Sequence, residues 1–406
     1  MNRAFFVWLH RWVGLTMAAF LLIVGLTGSL LAFLPELDHL LAPQLHPGSH
    51  PGVLLDPATL LRRAEALVPD AVVNTAYLGE EGVAHIGVEA REGAPALGFD
   101  SLILDRVTGE ELGRIKWGGL PTSAAAIMPF VYSLHYELAV GTVGAWILGF
   151  IALAWTIDCF VGFYLTLPLA SGGKARSSWL ARWTPAWLVK LRGSFYRINF
   201  DLHRAGGLWM WVALFIFAWS SVYWNLNGFY TRVTSFLFDY HQAVWAQDVK
   251  AAAPPGKGIL PWEEAQAIGA RLMEEQARAN DFTVERLNAF YLLREKGMFE
   301  YRVRSSRDIG DRHGGTAIHF DAYTGALVDL DLPSGQHTGN TITSWLAALH
   351  MANVFGMPYR IFVCGLGVVI AMLSGTGVYI WWKKRQARVK RKSVAPAAPA
   401  LETTDA

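Results

Sequence analysis

Four histidines in this chain recur in two evenly spaced pairs. Leu9-His10-Arg11-x-x-Gly14-Leu15-x-Met17 returns as Leu202-His203-Arg204-x-x-Gly207-Leu208-x-Met210, at an offset of 193. Leu134-His135 returns as Leu349-His350 at an offset of 215, which also relates Gly141 to Gly356, Gly162 to Gly377 and Tyr164 to Tyr379. Seventeen residues beyond His10 and His203 stand two hydroxyls, Thr27 and Ser220. Two imidazoles facing each other from separate helices are what a bis-histidine haem b requires, and filling both axial positions favours electron transfer over oxygen chemistry. A residue four positions after a helical histidine shares its face and leans back over it, so Gly14 and Gly207 leave room for a porphyrin. Arg11 and Arg204 have the charge and geometry to pair with propionates. Met17 and Met210 read as packing rather than ligands.

The elements that must hold these histidines are apolar. Of the 406 residues, 53% are hydrophobic and only 17% charged, against about 25% charged in ordinary globular chains. Trp12 to Leu34, Ala205 to Thr231 and Ile361 to Trp382 carry no charge, and Leu138 to Gly173 carries only Asp158. Each run reaches the roughly 20 residues needed to cross a bilayer, which predicts four spans. Cys159 and Cys364, the only cysteines, lie inside these runs. That excludes a disulfide framework, a thiolate zinc or iron–sulfur cluster and covalently attached haem.

Charge along the chain sets the expected orientation. Lys174, Arg176, Arg182, Lys190, Arg192 and Arg197 crowd the middle loop, seven Lys/Arg follow the last span from Lys383 to Lys392, and Arg3 and Arg11 lie at the N-terminus. The positive-inside rule puts both termini and the middle loop in the cytoplasm. The first span has no A-x-A-like cleavage site after it and reads as an uncleaved anchor. The long segments 36–130 and 229–345 then lie outside, with 13 acidic against 6 basic residues and 15 against 12. An anionic exterior repels nucleic acid, and the basic stripe suits anionic lipid.

Both external segments read as α+β. Asp56 to Val68 and Pro261 to Gln276 have helical periodicity. Strands are predicted at Val83–Val88, Leu102–Leu104, Ala289–Leu293 and Phe299–Val303. Asp105-Arg106-Val107-Thr108-Gly109 corresponds to Asp321-Ala322-Tyr323-Thr324-Gly325, an Asp-initiated turn with glycine at positive φ. Ala251–Gly258 reads as a linker, and Ala395–Ala406 as a disordered tail. His46 and His50, beside Pro47 and Pro51, cannot share one regular helix to bind a metal. Asp158 is a candidate for proton movement or quinol contact, or for a hydrogen bond to a neighbouring helix.

The predicted fold is therefore an α+β membrane protein with four transmembrane helices in two tandem parallel repeats. The boundaries are a first span at 1–35, an external domain at 36–133, a second span at 134–169 and a basic cytoplasmic loop at 170–199. A third span at 200–228, a second external domain at 229–346, a fourth span at 347–383 and a basic tail at 384–406 complete it. Parallel repeats are related by an axis along the membrane normal. That axis sets His10 opposite His203 near the cytoplasmic face and His135 opposite His350 near the outer face.

At the Leu-His-Arg-x-x-Gly box, the Leu-His motifs and the Asp-x-x-Thr-Gly turns, the chain resembles the PepSY-associated transmembrane family of bacterial inner-membrane proteins, up to about Trp382. Within it the chain is most similar to ferrisiderophore reductases of the ferrioxamine type. That resemblance implies PepSY-like outer domains and two b haems per chain, with His10, His203, His135 and His350 as axial ligands. It also implies electron delivery to a ferric siderophore, of hydroxamate type, in the periplasm; the expected electron donor is a cytoplasmic reductase or quinol. Two rival readings are an anchored PepSY-type binding or regulatory module without redox activity, and a transporter of intact chelates or haem.

Overall fold

The computed structural model describes residues 2–48, 51–79, 82–169 and 178–394. His50, Lys174, Arg176 and the tail from Ala395 lie outside the described residues. The chain begins with α1 (Arg3–Leu31), α2 (Leu34–Leu41) and α3 (Pro57–Leu67), then strands β1 (Ala71–Leu78), β2 (Val83–Ala90), β3 (Ser101–Asp105) and β4 (Glu111–Ile115). Helices α4 (Ile127–Glu137), α5 (Thr142–Thr166), α6 (Trp179–Trp183), α7 (Phe195–Trp209), α8 (Trp211–Asn225), α9 (Asn227–Leu237) and α10 (Trp262–Ala279) follow. Strands β5 (Val284–Leu293), β6 (Met298–Ser305), β7 (Thr316–Asp321) and β8 (Leu327–Asp331) lead to α11 (Thr338–His350) and α12 (Gly356–Val394).

Among the described residues three helices, α1, α5 and α12, are long and apolar enough to cross a membrane. At 29, 25 and 39 residues, each exceeds the roughly 20 that 30 Å of hydrocarbon demands at 1.5 Å per residue. The run from Ala205 is different. It straddles a 69° bend between α7 and α8, so the continuous third span expected at 200–228 is a broken pair. The reason is local. Gly206 and Gly207 weaken the helix just before the break at Met210, and α7 carries Arg197, Asp201 and Arg204, charges that an apolar continuation would drag into hydrocarbon.

The second and fourth spans also begin later than the expected boundaries at 134 and 347, at Thr142 and Gly356. Leu138, Ala139 and Gly141 take positive φ between α4 and α5, as do Ala352 and Phe355 before α12 and Gly356 at its first position. His135 and His350 consequently lie in the last turns of α4 and α11, on short helices that precede the spans.

The described residues fall into two compact units. One comprises Met1–Gly25, Ala154–Phe215 and Val368–Ala406, and its described residues are helical. In it Trp211 donates its indole N–H to the Cys159 carbonyl at 2.8 Å. Asp201, fully buried, gathers Arg197 at 2.8 Å and Arg204 at 2.9 Å; a buried carboxylate persists only with such partners.

The other unit, Leu26–Leu153 with Ile216–Gly367, holds one antiparallel sheet of eight strands in the order β4-β3-β2-β1-β5-β6-β7-β8. The two segments expected to form separate outer domains thus share a sheet, joined where Thr75, Ala76 and Tyr77 pair with Tyr291, Phe290 and Ala289. The two Asp turns are alike. Asp105 accepts from the backbone of Val107 and Thr108, Asp321 from that of Tyr323 and Thr324, and Gly109 and Gly325 take φ of 71° and 73°. Helix α3 starts at Asp56, whose side chain caps the Thr59 N–H, worth about 1 kcal/mol. Helices α3 and α10 bury their apolar stripes on one face of the sheet, where Phe290, Phe299 and Phe320 stack at 5.4 Å spacings beneath the edge of Trp262.

Candidate functional site

The four repeated histidines meet as two pairs, one in each unit. In the helical unit the rings of His10 on α1 and His203 on α7 have centroids 6.0 Å apart. In the sheet-bearing unit those of His135 and His350 are 6.2 Å apart. Metal–imidazole bonds of about 2.0 Å, with about 1.2 Å from nitrogen to ring centre, would place the centres of two imidazoles sharing one metal from opposite sides about 6.4 Å apart, within about 0.4 Å of both pairs.

The hydrogen bonds fix which nitrogen faces inward. His10 Nδ1 donates to the Asp158 carboxylate at 2.9 and 3.0 Å. His203 Nδ1 lies 3.1 Å from both the Leu373 carbonyl and Thr376 Oγ1. A carbonyl only accepts, so the proton is on Nδ1. His350 Nδ1 lies 2.7 Å from Ser220 Oγ, whose own proton goes to the Ile216 or Phe217 carbonyl, leaving its lone pair to accept. Thr27 Oγ1 stands 3.0 Å from His135 Nδ1. With every Nδ1 engaged, Nε2 is the nitrogen left for ligation, which is how metal-bound histidines are oriented by their surroundings.

Small residues crowd the edges of these rings. A Cβ on Gly377 would lie 3.2 Å from His203 Cε1, on Gly162 3.6 Å from His10 Cε1, and on Gly28 3.0 Å from His135 Cε1. Gly14 and Gly207 stand instead in space: a Cβ on Gly14 would meet nothing within 4 Å, and one on Gly207 only Leu373 at 4.0 Å. Both line a cavity of about 450 Å³ together with His10, His203, Arg11 and Arg204, a size typical of small-molecule and cofactor pockets. Arg204 donates to Asp201 and to the Pro185 carbonyl, yet its buried Nε finds no hydrogen-bond partner. Phe217 stacks on His350 at 4.6 Å and Trp224 meets it edge-on at 5.1 Å.

Some participants carry no role in the sequence analysis, whereas Asp158 makes, to His10, the hydrogen bond to a neighbouring helix expected there as one alternative. Thr27 and Ser220 stood out by spacing but had no role; the structure sets each against a histidine of the other motif. Asp158 and Leu373 occupy positions 215 apart and both accept from a histidine, one through its side chain and one through its backbone. Only the first leaves a mark in composition. Arg360, 7% exposed, forks onto Glu36 and donates to the Ala32 carbonyl, and that bidentate bond holds the Glu36 carboxyl below the ordinary range.

The other described histidines spread over the sheet-bearing unit. His39 and His46 stack at 5.3 Å, with His46 3.4 Å from Asp38. Burial in β2, with the His46 charge adding to it, pushes His85 down to about 4. Burial works to raise Glu300, but Arg302 and His319 beside it hold it below the usual carboxylate range.

Residues 7–384 match the family described as the PepSY-associated TM region, and the chain belongs to that family. It is a membrane-embedded protein of mixed helix and sheet. The comparison with curated proteins gives no match.

Proposed function

We propose that this protein is a di-haem b reductase of the bacterial inner membrane, with its termini in the cytoplasm and its sheet in the periplasm. In this reading the bent pair α7–α8 serves as the fourth crossing and the two halves are parallel repeats. The observation that carries it is the set of four imidazoles, paired at 6.0 and 6.2 Å, each with Nδ1 held by Asp158, Leu373 and Thr376, Thr27 or Ser220. His10 and His203 would hold one haem iron, and His135 and His350 the other. Bound there, haem b would supply one-electron transfer from a cytoplasmic reductase or quinol toward a ferric siderophore outside, where Fe(II) is held less tightly by hard oxygen ligands.

The chain's own residues do the rest. The Nδ1 partners keep the rings in one tautomer and orientation. Gly14 and Gly207 keep the cavity open beside His10 and His203, and Arg11 and Arg204 line it with positive charge.

The test is a haem count on the purified full chain by pyridine haemochrome. Two haems per chain are expected, falling to one in His10→Ala and to one in His350→Ala. A colourless protein, or two haems retained in both variants, overturns the reading and leaves an anchored binding module.

A further inference from the structure

One face of the sheet buries the aromatic stack; the other carries charge. Pairing across β6, β7 and β8 sets Glu300 beside His319 and His319 beside Asp329. Asp331, two residues further along β8, points to the same side. His241, from the segment after α9, closes over them. Its Nε2 lies 2.9 Å from Asp329 Oδ2 and 3.8 Å from Asp331 Oδ1, and ligand atoms of all three residues lie within 4.8 Å of one another.

A simple ion pair between His241 and Asp329 does not account for the rest of the cluster. His319 is 1% exposed; its Nε2 turns to Glu300 at 3.3 Å, while its buried Nδ1 makes no hydrogen bond and lies 3.7 Å from Asp331 Oδ2. Asp331 Oδ1 is also buried without a hydrogen-bond partner. Burying such groups unsatisfied is destabilising. Arg302 does not relieve them, because it pairs with Glu300. His241, His319 and Asp331 line a cavity of about 570 Å³, which gives an ion a way in.

We propose that His241, His319, Asp329 and Asp331 bind a divalent first-row transition ion on the open face of the sheet. Two imidazoles with two carboxylates suit Fe(II), Mn(II) or Zn(II). The absence of sulfur disfavours Cu(I), and the imidazoles disfavour Mg(II) and Ca(II). The assignment is independent of haem.

The test uses the full-length protein in detergent, stripped with chelator and dialysed against Zn(II), and anaerobically against Fe(II), with bound metal counted per chain. One ion is expected, with at least tenfold weaker binding in the Asp329→Asn/Asp331→Asn double variant and in His241→Ala. His241 is at the cavity edge, so its variant decides the matter should the double variant fail to fold. X-ray absorption at the zinc edge should show only nitrogen and oxygen ligands. No bound ion, or wild-type affinity in the folded variants, overturns the site.

Discussion

Asp158, the lone acid in the apolar stretch from Leu138 to Gly173, holds Nδ1 of His10 at 2.9 Å, while the matching ring, His203, rests on the Leu373 carbonyl at 3.1 Å. The two partners differ by a full charge. A carboxylate gives its imidazole anionic character and favours a ferric over a ferrous ligand set. Asp158→Asn keeps an acceptor and removes the charge. The expected outcome is two haems retained, with the midpoint potential of one raised by roughly 60 mV for each 1.4 kcal/mol of lost ferric stabilisation. A spectroscopic redox titration reads this, and an unchanged potential would detach Asp158 from the ligand.

Glycines against the rings set a steric test. Gly377→Val should push His203 off its position, since its Cβ alone would sit 3.2 Å from Cε1, whereas a Cβ on Gly365 would meet nothing within 4 Å. Haem content should fall toward one per chain in Gly377→Val and stay at two in Gly365→Val. Equal loss in both would point to general damage to α12.

His85 gives a pH prediction. Its folded pKa of about 4 lies below the ordinary 6.5, so the unfolded chain binds the proton more readily between those values. Stability is therefore fully present above about pH 6.5 and is lost as pH falls toward 4, by at most about 3 kcal/mol. His85→Leu should flatten this part of the pH profile of thermal unfolding. A profile as steep as that of the wild type would assign the loss to other groups.

Phe299 sits fully buried between Phe290 and Phe320. Phe299→Ala should destabilise the sheet by about 3–5 kcal/mol, seen as a lower denaturation midpoint. Spectra arising from His10 and His203 should persist, because those residues lie in the other compact unit.

Much of this was readable in advance, for physical reasons that can be named. The predicted strands at Val83–Val88, Leu102–Leu104, Ala289–Leu293 and Phe299–Val303 all lie within observed strands, because each is marked locally by alternation or, as at the wholly buried Leu102–Leu104, by a short apolar run. The Asp turns were legible because few residue types serve their first and last positions. Less was readable where the determinant is not a side chain. The bend at Met210 comes from the balance between a charged α7 and an apolar α8, which a charge-free run cannot display. The partner of His203 is a carbonyl, present at every residue. Nor did composition show that strands β1 and β5, more than two hundred residues apart in sequence, would pair.

That pairing has a practical consequence for anyone dividing the protein. The seam between β1 and β5 is internal, so cutting the gene between α5 and α7 would leave each fragment with a raw strand edge of unsatisfied amides. Fragments of this kind should clump or zip onto one another, and co-expressed halves should reassemble where either half by itself would precipitate.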